Sequence, residues 1–152
     1  PRVQVILMYG SMLSAPTLSR VTDYGTNTAD SGGTSVDPGG TANTKGSWTQ
    51  IASSTANPMR ALIIGIGNAA NSSRATCDWL LDLGIGAGGS EVVVAADLQI
   101  ETSITTDLVS PTFFGPIPCN IPAGTRIAAR SQCSVITDAN DRLFDLIIYG
   151  IS

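Results

Sequence analysis

The run Trp79-Leu80-Leu81-Asp82-Leu83-Gly84 is one of several short apolar segments between Gly39 and Ala129 that are separated by glycine, asparagine, serine and threonine. Turn signals recur there at a spacing of roughly 8–12 residues, which is typical of an all-β sandwich or barrel. Within the run, Trp79, Leu81 and Leu83 fall on one side of a strand, because successive side chains of a strand point to opposite faces. The stretch therefore predicts an antiparallel β-sandwich with Trp79 in its core.

The rest of the pattern indicates about eight strands, which suit two four-stranded antiparallel sheets wound as a jelly roll. An immunoglobulin-like sandwich is the alternative, although Cys77 and Trp79 lack its Cys…Trp…Cys spacing. Ala61–Ile66 and Leu146–Tyr149 are apolar on both faces, so each is either a central strand or a strand whose outer face meets a neighbour. The predicted strands are Ser47–Ser53, Arg60–Gly67, Thr76–Gly84, Glu91–Ala96, Gln99–Ile104, Thr112–Ile117, Gly124–Val135 and Leu143–Ile151.

The N-terminal third of the chain has a different character. Val3–Tyr9 is rich in β-forming residues and predicts an N-terminal strand. From Tyr24 to Gly46 nearly all residues are small or polar, which is unusual for a connection inside a compact domain. This segment is interpreted as a flexible linker or as an arm that becomes ordered on a partner. Either residues 1–46 form a strand and polar arm before a sandwich domain of residues 47–152, or residues 1–152 are one domain.

The composition points to contacts with other protein chains. Charged residues make up only 13% of the chain, about half the usual share of a soluble domain, whereas hydrophobic residues make up 43%. So few charges leave apolar surface on two sheets, which predicts a homo-oligomer, a trimer or a dimer. The net charge of −4, with Lys45 as the single lysine, argues against nucleic acid and anionic membranes as partners.

No targeting signal or anchor is expected. The apolar stretch Val3–Met8 is far too short to cross a bilayer and lacks the flanks of a signal peptide. Pro1 is consistent with removal of an initiator methionine, so we expect a protein made in the cytosol. The cysteines are odd in number and lack metal-ligand spacing, which predicts reduced thiols at Cys77, Cys119 and Cys133.

Residue types that carry catalysis are sparse. The chain has no histidine, which excludes Ser-His and Cys-His catalysis and removes the commonest metal ligand. Two carboxylate pairs, Asp78 with Asp82 and Glu91 with Glu101, are candidates for glycoside hydrolysis. Since no aromatic or basic cluster surrounds them, they are expected to be solvated strand faces.

Three turn-like segments imitate functional motifs. Asp37–Gly40 and Asp138–Asp141 resemble calcium loops but lack the full series of oxygen ligands, so plain turns are predicted. Asn71-Ser72-Ser73 fits the glycosylation pattern but is interpreted as a turn without a signal peptide. We therefore predict no enzymatic activity, no cofactor and no metal site.

Exposed aromatic and basic side chains are the candidates for partner contacts. A glycan-binding platform requires aromatic rings in the open on one sheet, and Trp48 and Tyr24 are the candidates for it. Arg126 and Arg130 fall on the polar face of the strand Gly124–Val135. There they either clamp an acidic neighbour or pair with Asp or Glu on the adjacent strand.

Three sequence elements give the chain a family resemblance. NTKGSW lies within Asn43–Ile51, GIGAGGSEVV lies within Leu83–Val93, and Ile121–Arg130 reads IPAGTRIAAR. In this order they resemble a group of tailed-bacteriophage virion structural proteins, over roughly Gly39 to Gly150. The resemblance implies a jelly-roll-like component of the virion, such as a capsid decoration, cement or tail-associated protein.

These expectations combine into a functional prediction. The chain is predicted to be a non-enzymatic capsid decoration or cement protein that binds the outer capsid surface of the virion as an oligomer and stabilises the shell. Its partners would be further copies of itself and the major capsid protein. The alternative is a tail- or fibre-associated module that recognises a host-surface glycan. The candidate partner-contact residues are Val3, Val5, Leu7, Tyr9, Trp48, Arg126 and Arg130.

Overall fold

A computed structural model of the chain describes residues 20–29, 31–68, 77–102, 112–135 and 144–152. These ranges contain nine β-strands and no helix, and so none that is long and apolar enough to span a membrane. The strands are β1 (Val21–Tyr24), β2 (Thr34–Val36), β3 (Thr49–Ala52), β4 (Met59–Asn68), β5 (Cys77–Ile85), β6 (Val92–Thr102), β7 (Thr112–Ile121), β8 (Ile127–Cys133) and β9 (Phe144–Ile151).

The strands form two antiparallel sheets packed face to face. A five-stranded sheet has the order β1-β9-β4-β7, with β2 also paired to β9, and a four-stranded sheet has the order β3-β8-β5-β6. Early strands pair with late ones in a nested series: β1 and β2 with β9, β3 with β8, β4 with β7, and β5 with β6. This nested antiparallel pairing is the winding of a jelly roll. The predicted all-β, jelly-roll-like sandwich is confirmed.

The core lies between the two sheets and follows the period-two alternation of the strands. In β9, buried and half-buried residues alternate along the whole strand, because every second side chain points inward. Trp79 of β5 is 4% exposed, which confirms its predicted place in the core. Its ring meets Phe144 of β9 edge to face, with ring centroids 6.3 Å apart, and so joins the two sheets.

The polar N-terminal region differs from the interpretation as a linker or an arm. Both β1 and β2 pair with β9 along one edge, and Tyr24 and Val36 are buried in the core. A short edge strand needs few apolar residues, because its backbone groups bond to the neighbouring strand and one inward side chain suffices for packing. The predicted strand Val3–Tyr9 lies outside the described residues.

Two strand boundaries also differ from expectation. The two strands predicted at Glu91–Ala96 and Gln99–Ile104 are joined in β6, which bulges at Asp97, a residue with φ of 52°. The interruption of the strand pattern there marks a β-bulge rather than a chain reversal. Similarly, β7 continues beyond Ile117, the predicted end of this strand, and ends at Ile121.

The cysteines are not all reduced. Cys133, at the end of β8, is disulfide-bonded, so the prediction for this residue is wrong. An odd number of cysteines leaves one unpaired but does not exclude a bridge. That free thiol is Cys119 of β7, and burial raises its pKa. It is therefore protonated and of low reactivity at neutral pH.

Candidate functional site

The outer face of the four-stranded sheet carries a network of charged side chains around one indole ring. The segment before β3 runs along β8, where the backbone amides of Asn43 and Gly46 donate to the carbonyls of Cys133 and Ser131, at 2.7 and 2.8 Å. This course brings Lys45 and Trp48 over the sheet. We call this surface the polar face, and its members are Lys45, Trp48, Asp82, Glu91, Asp97, Arg126 and Arg130.

Asp82 is the centre of the polar face. Its Oδ1 accepts hydrogen bonds from Lys45 Nζ at 2.7 Å and from the Asp97 amide at 3.0 Å, and its Oδ2 accepts one from Arg130 Nε at 3.0 Å. Lys45 Nζ also contacts the Asp97 carboxylate at 2.9 Å and the Leu80 carbonyl at 3.0 Å. All three donors of the ammonium group are thus used. The cluster contains two positive and two negative side chains and is closed within the chain.

Burial and hydrogen bonding act in opposite directions on Asp82. Its side chain is only 5% exposed. Burial raises the pKa, but the hydrogen bonds from Lys45, the Asp97 amide and Arg130, together with the charge of Lys45, outweigh it and leave the pKa below its ordinary value of 3.8. Asp82 is therefore ionised at neutral pH and stabilises the position of the segment that carries Lys45.

Arg126 forms a second set of hydrogen bonds within the chain, beside the turn between β5 and β6. Its Nη1 donates to Glu91 Oε1 at 2.8 Å and to the Gly86 carbonyl at 3.2 Å, and its Nε donates to Gln50 Oε1 at 3.0 Å. Burial raises the pKa of Glu91, but the hydrogen bond and the charge of Arg126, together with the hydrogen bonds from the Glu91 and Gly89 amides, outweigh it and leave the pKa lowered. The guanidinium therefore ties this turn to β3 and β8.

Trp48 fits into a recess of the sheet at Gly84. A Cβ at Gly84 would lie 2.7 Å from Trp48 Cη2, so only a residue without a side chain leaves room for the indole. The Arg130 guanidinium stacks over the Trp48 ring, with its Cζ 4.6 Å from the ring centroid. The ring thereby joins the segment before β3 to the middle of the sheet.

The structure places the partner-contact residues predicted from the sequence in different environments. Trp48, Arg126 and Arg130 lie together on the polar face. The two arginines pair with carboxylates of their own chain, and Asp82 is the direct cross-strand neighbour of Arg130. Tyr24 is not a glycan platform, because it is 8% exposed and its hydroxyl accepts a hydrogen bond from the Ala56 amide. The remaining candidates, Val3, Val5, Leu7 and Tyr9, lie outside the described residues.

Of the four carboxylates considered for glycoside hydrolysis, Asp82 and Glu91 are not solvated as the sequence predicts, because their side chains are only 5% and 2% exposed. A general acid in that reaction needs a raised pKa, whereas the pKa values of Asp82 and Glu91 are lowered. The described residues contain no group of three or more metal-ligating side chains. Both loops that resemble calcium sites were predicted to be turns. Asp37 accepts a hydrogen bond from the Gly39 amide in such a turn, and Asp138–Asp141 lies outside the described residues.

The outer face of the five-stranded sheet is apolar. Its outward side chains come from β1, β4, β7 and β9, and two of them, Val21 and Phe113, are 60% and 62% exposed. The apolar runs of β4 and β9 are the two central strands of the sheet, one of the two arrangements expected from their sequence. We call this surface the apolar face, and its members are Val21, Ala61, Ile63, Phe113, Ile147, Tyr149 and Ile151.

No protein-family model matches the chain, and no curated protein or solved structure matches it either. The function must therefore be inferred from the two outer faces and from the resemblance of the three sequence elements.

Several residues of these faces were missed from the sequence. The ion pairs of Lys45 depend on the course of the segment before β3, which the sequence alone does not give. The pattern of the predicted strand Thr112–Ile117 does not indicate on which face of the sheet Phe113 lies. A signal was present in Gly65 and Gly67, because glycines inside a strand mark a bulge or a close approach of another group.

Proposed function

We propose that this protein is a non-enzymatic structural component of a tailed-bacteriophage virion that binds the outer capsid shell as an oligomer and stabilises it. The observation that carries the proposal is the contrast between the two outer faces. The charges of the polar face pair within the chain, and its sheet exposes apolar side chains at the start of β6, at Val92 and Val93. On the apolar face, by contrast, an apolar row crosses the strands β1, β9 and β4. The resemblance of the three sequence elements supplies the type of assembly.

The docking surface that we propose is the end of the apolar face at β1. Val21 lies opposite Ile151, which in turn lies opposite Ala61 of β4. Antiparallel sheets usually present polar side chains to solvent on such a face. Asp23, on the outward side of β1, and Arg20, just before β1, are exposed beside this row. An apolar centre with a charged rim is the usual anatomy of a protein–protein interface.

Arg20, the first described residue, lies at this same end. The Arg20 carbonyl accepts hydrogen bonds from the amide and the hydroxyl of Ser152, at 3.0 and 3.2 Å. Arg20 is thus held beside the C-terminal end of β9, and the sequence predicts a strand with an apolar side in Val3–Tyr9. We include this segment in the proposed contact with the major capsid protein or with a second copy of the chain.

Copy number in the virion tests the proposal. Quantitative mass spectrometry of purified particles of the phage that encodes this chain should find it in hundreds of copies, in a fixed ratio to the major capsid protein. Particles produced without the gene should lose their DNA at a lower temperature, and purified protein added back should restore the original value. A handful of copies would point to the tail instead, and absence from the particle would contradict the proposal.

A further inference from the structure

A groove runs along the apolar face at the end opposite Val21. It encloses about 230 Å³, and its floor is formed by Gly65 and Gly67 of β4. A Cβ at Gly67 would meet no atom within 4 Å, so the floor is open above this residue. The absence of side chains from two outward positions of a central strand creates the groove.

One end of the groove is aromatic. Phe113 and Tyr149 stand on either side of β4, with ring centroids 6.4 Å apart and planes tilted by 46°. Both rings approach Gly65, since a Cβ there would lie 3.0 Å from the Tyr149 ring and 3.2 Å from the Phe113 ring. Although Phe113 contacts Tyr149, it is 62% exposed, so much of its ring is accessible to a ligand.

The other end of the groove is polar. The Asp145 carboxylate lies directly across from Gly67 and accepts hydrogen bonds from the Ser35 hydroxyl at 2.9 Å and from the Gly33 amide at 3.3 Å. Each carboxylate oxygen accepts only one of these hydrogen bonds, from an uncharged donor, so the carboxylate has further acceptor capacity. Ser31 and Gly32 complete this wall.

We propose that this groove binds a neutral saccharide. The two residues from Gly65 to Gly67 separate the aromatic end from the carboxylate by about 7 Å. A sugar ring matches this arrangement, because its C–H face packs on the electron-rich face of an aromatic ring while its hydroxyl groups donate to a carboxylate. A few polar groups in a largely apolar groove are also the usual composition of small-molecule sites.

The geometry disfavours two other ligand classes. An anion would be repelled by Asp145, whose two donors are neutral. A compact ammonium group needs aromatic faces and a counter-charge converging on one point, whereas here they lie at opposite ends of the groove. The carboxylate end of the groove lies away from the proposed docking surface, because Asp145 and Ile151 are six positions apart along β9, about 20 Å.

Ligand-observed saturation-transfer NMR on the full-length protein tests this inference. The probes are glucose, galactose, mannose, rhamnose and N-acetylglucosamine, as monosaccharides and short oligomers, with tetramethylammonium as the cation probe. We expect at least one saccharide to bind. Phe113→Ala should weaken that binding at least about tenfold, as expected for loss of an aromatic anchor. Gly67→Leu should do the same by filling the floor.

The control variant is Val92→Ala, which changes a 64% exposed apolar residue at the start of β6 on the other sheet, and it should bind like the unmodified protein. Thermal unfolding of each variant checks that Phe113→Ala and Gly67→Leu are folded. Three results would overturn the inference: no binding by any saccharide of the panel, binding of tetramethylammonium alone, or saccharide binding that both groove variants retain. None of them depends on attachment to a virion, so the inference and the proposed function can fail separately.

Discussion

The two outer faces of the sandwich are completed in different ways. On the polar face, the segment before β3 brings Lys45 and Trp48 over the sheet, and the charges of Asp82 and Glu91 are balanced within the chain. On the apolar face, Val21 and Phe113 remain 60% and 62% exposed. A sheet face that is covered and charge-balanced by side chains of its own chain needs no partner. An exposed apolar face, in contrast, is typical of an interaction surface. We therefore expect changes on the polar face to lower stability and changes on the apolar face to lower binding.

The largest effect is expected at Val36, which anchors β2 in the core with no exposed surface. Val36→Asp would bury a carboxylate without a partner and should lower the free energy of unfolding by at least about 4 kcal/mol. Urea unfolding followed by circular dichroism measures this loss. A variant that unfolds like the unmodified protein would show that the polar N-terminal region is not part of the sandwich.

Asp82 should have the next largest effect. Asp82→Asn leaves Arg130 without its counter-charge and Lys45 with the Asp97 carboxylate alone, and because both basic groups remain partly exposed to water we expect a loss of about 3 kcal/mol. Asp97→Asn is the matched control in the same cluster. Its side chain is 62% exposed, so the expected loss is below about 1 kcal/mol. Equal losses in the two variants would contradict the central role of Asp82.

Two glycines provide a matched comparison of the faces. Gly84→Ala forces the Trp48 indole out of its recess and should cost about 2 kcal/mol. Gly67→Ala adds a methyl group where no atom lies within 4 Å and should cost nothing, because it also reduces the freedom of the unfolded chain. Unfolding midpoints in urea measure both. If Gly84→Ala were tolerated as well as Gly67→Ala, Trp48 would not lie on the sheet in solution.

A smaller effect concerns acid stability. The pKa of Asp82 lies below its ordinary value of 3.8, so the folded state binds fewer protons at this group than the unfolded state in that pH range. The contribution of ionised Asp82 to the free energy of unfolding is therefore fully present above pH 3.8, and it is lost as the pH falls through the lowered pKa. We expect a constant urea midpoint between about pH 7 and 5, a decline below about pH 4, and a shallower decline in Asp82→Asn. An identical acid profile in that variant would refute this assignment.

The fold could be predicted from the sequence to a large extent. Alternation around Trp79 and the regular turn signals identify a sandwich, because the period of two is a direct consequence of strand geometry. The short strands β1 and β2 could not be found in this way. They lie at a sheet edge, where pairing with β9 supplies the backbone hydrogen bonds and few apolar side chains are required.

The candidate surfaces could be predicted only in part. Grouping Arg126 and Arg130 on one face required only strand alternation, and the structure places both on the polar face with Trp48. Their partners depend on which strands are neighbours, which a single strand's pattern does not contain. The convergence of Phe113 and Tyr149 over Gly65 joins three strands that are distant in sequence, so no local pattern could indicate it.

The most direct test of the difference between the faces compares two exposed valines. Val21 is 60% exposed on β1 of the five-stranded sheet, and Val92 is 64% exposed on β6 of the other sheet. Because neither side chain is buried, Val21→Asp and Val92→Asp should each change the free energy of unfolding by about 1 kcal/mol or less. The measurement is co-sedimentation of each purified variant with virions that lack the protein. We predict that Val21→Asp no longer binds while Val92→Asp binds like the unmodified protein. Binding by Val21→Asp together with loss of binding by Val92→Asp would contradict the assignment of the apolar face as the docking surface.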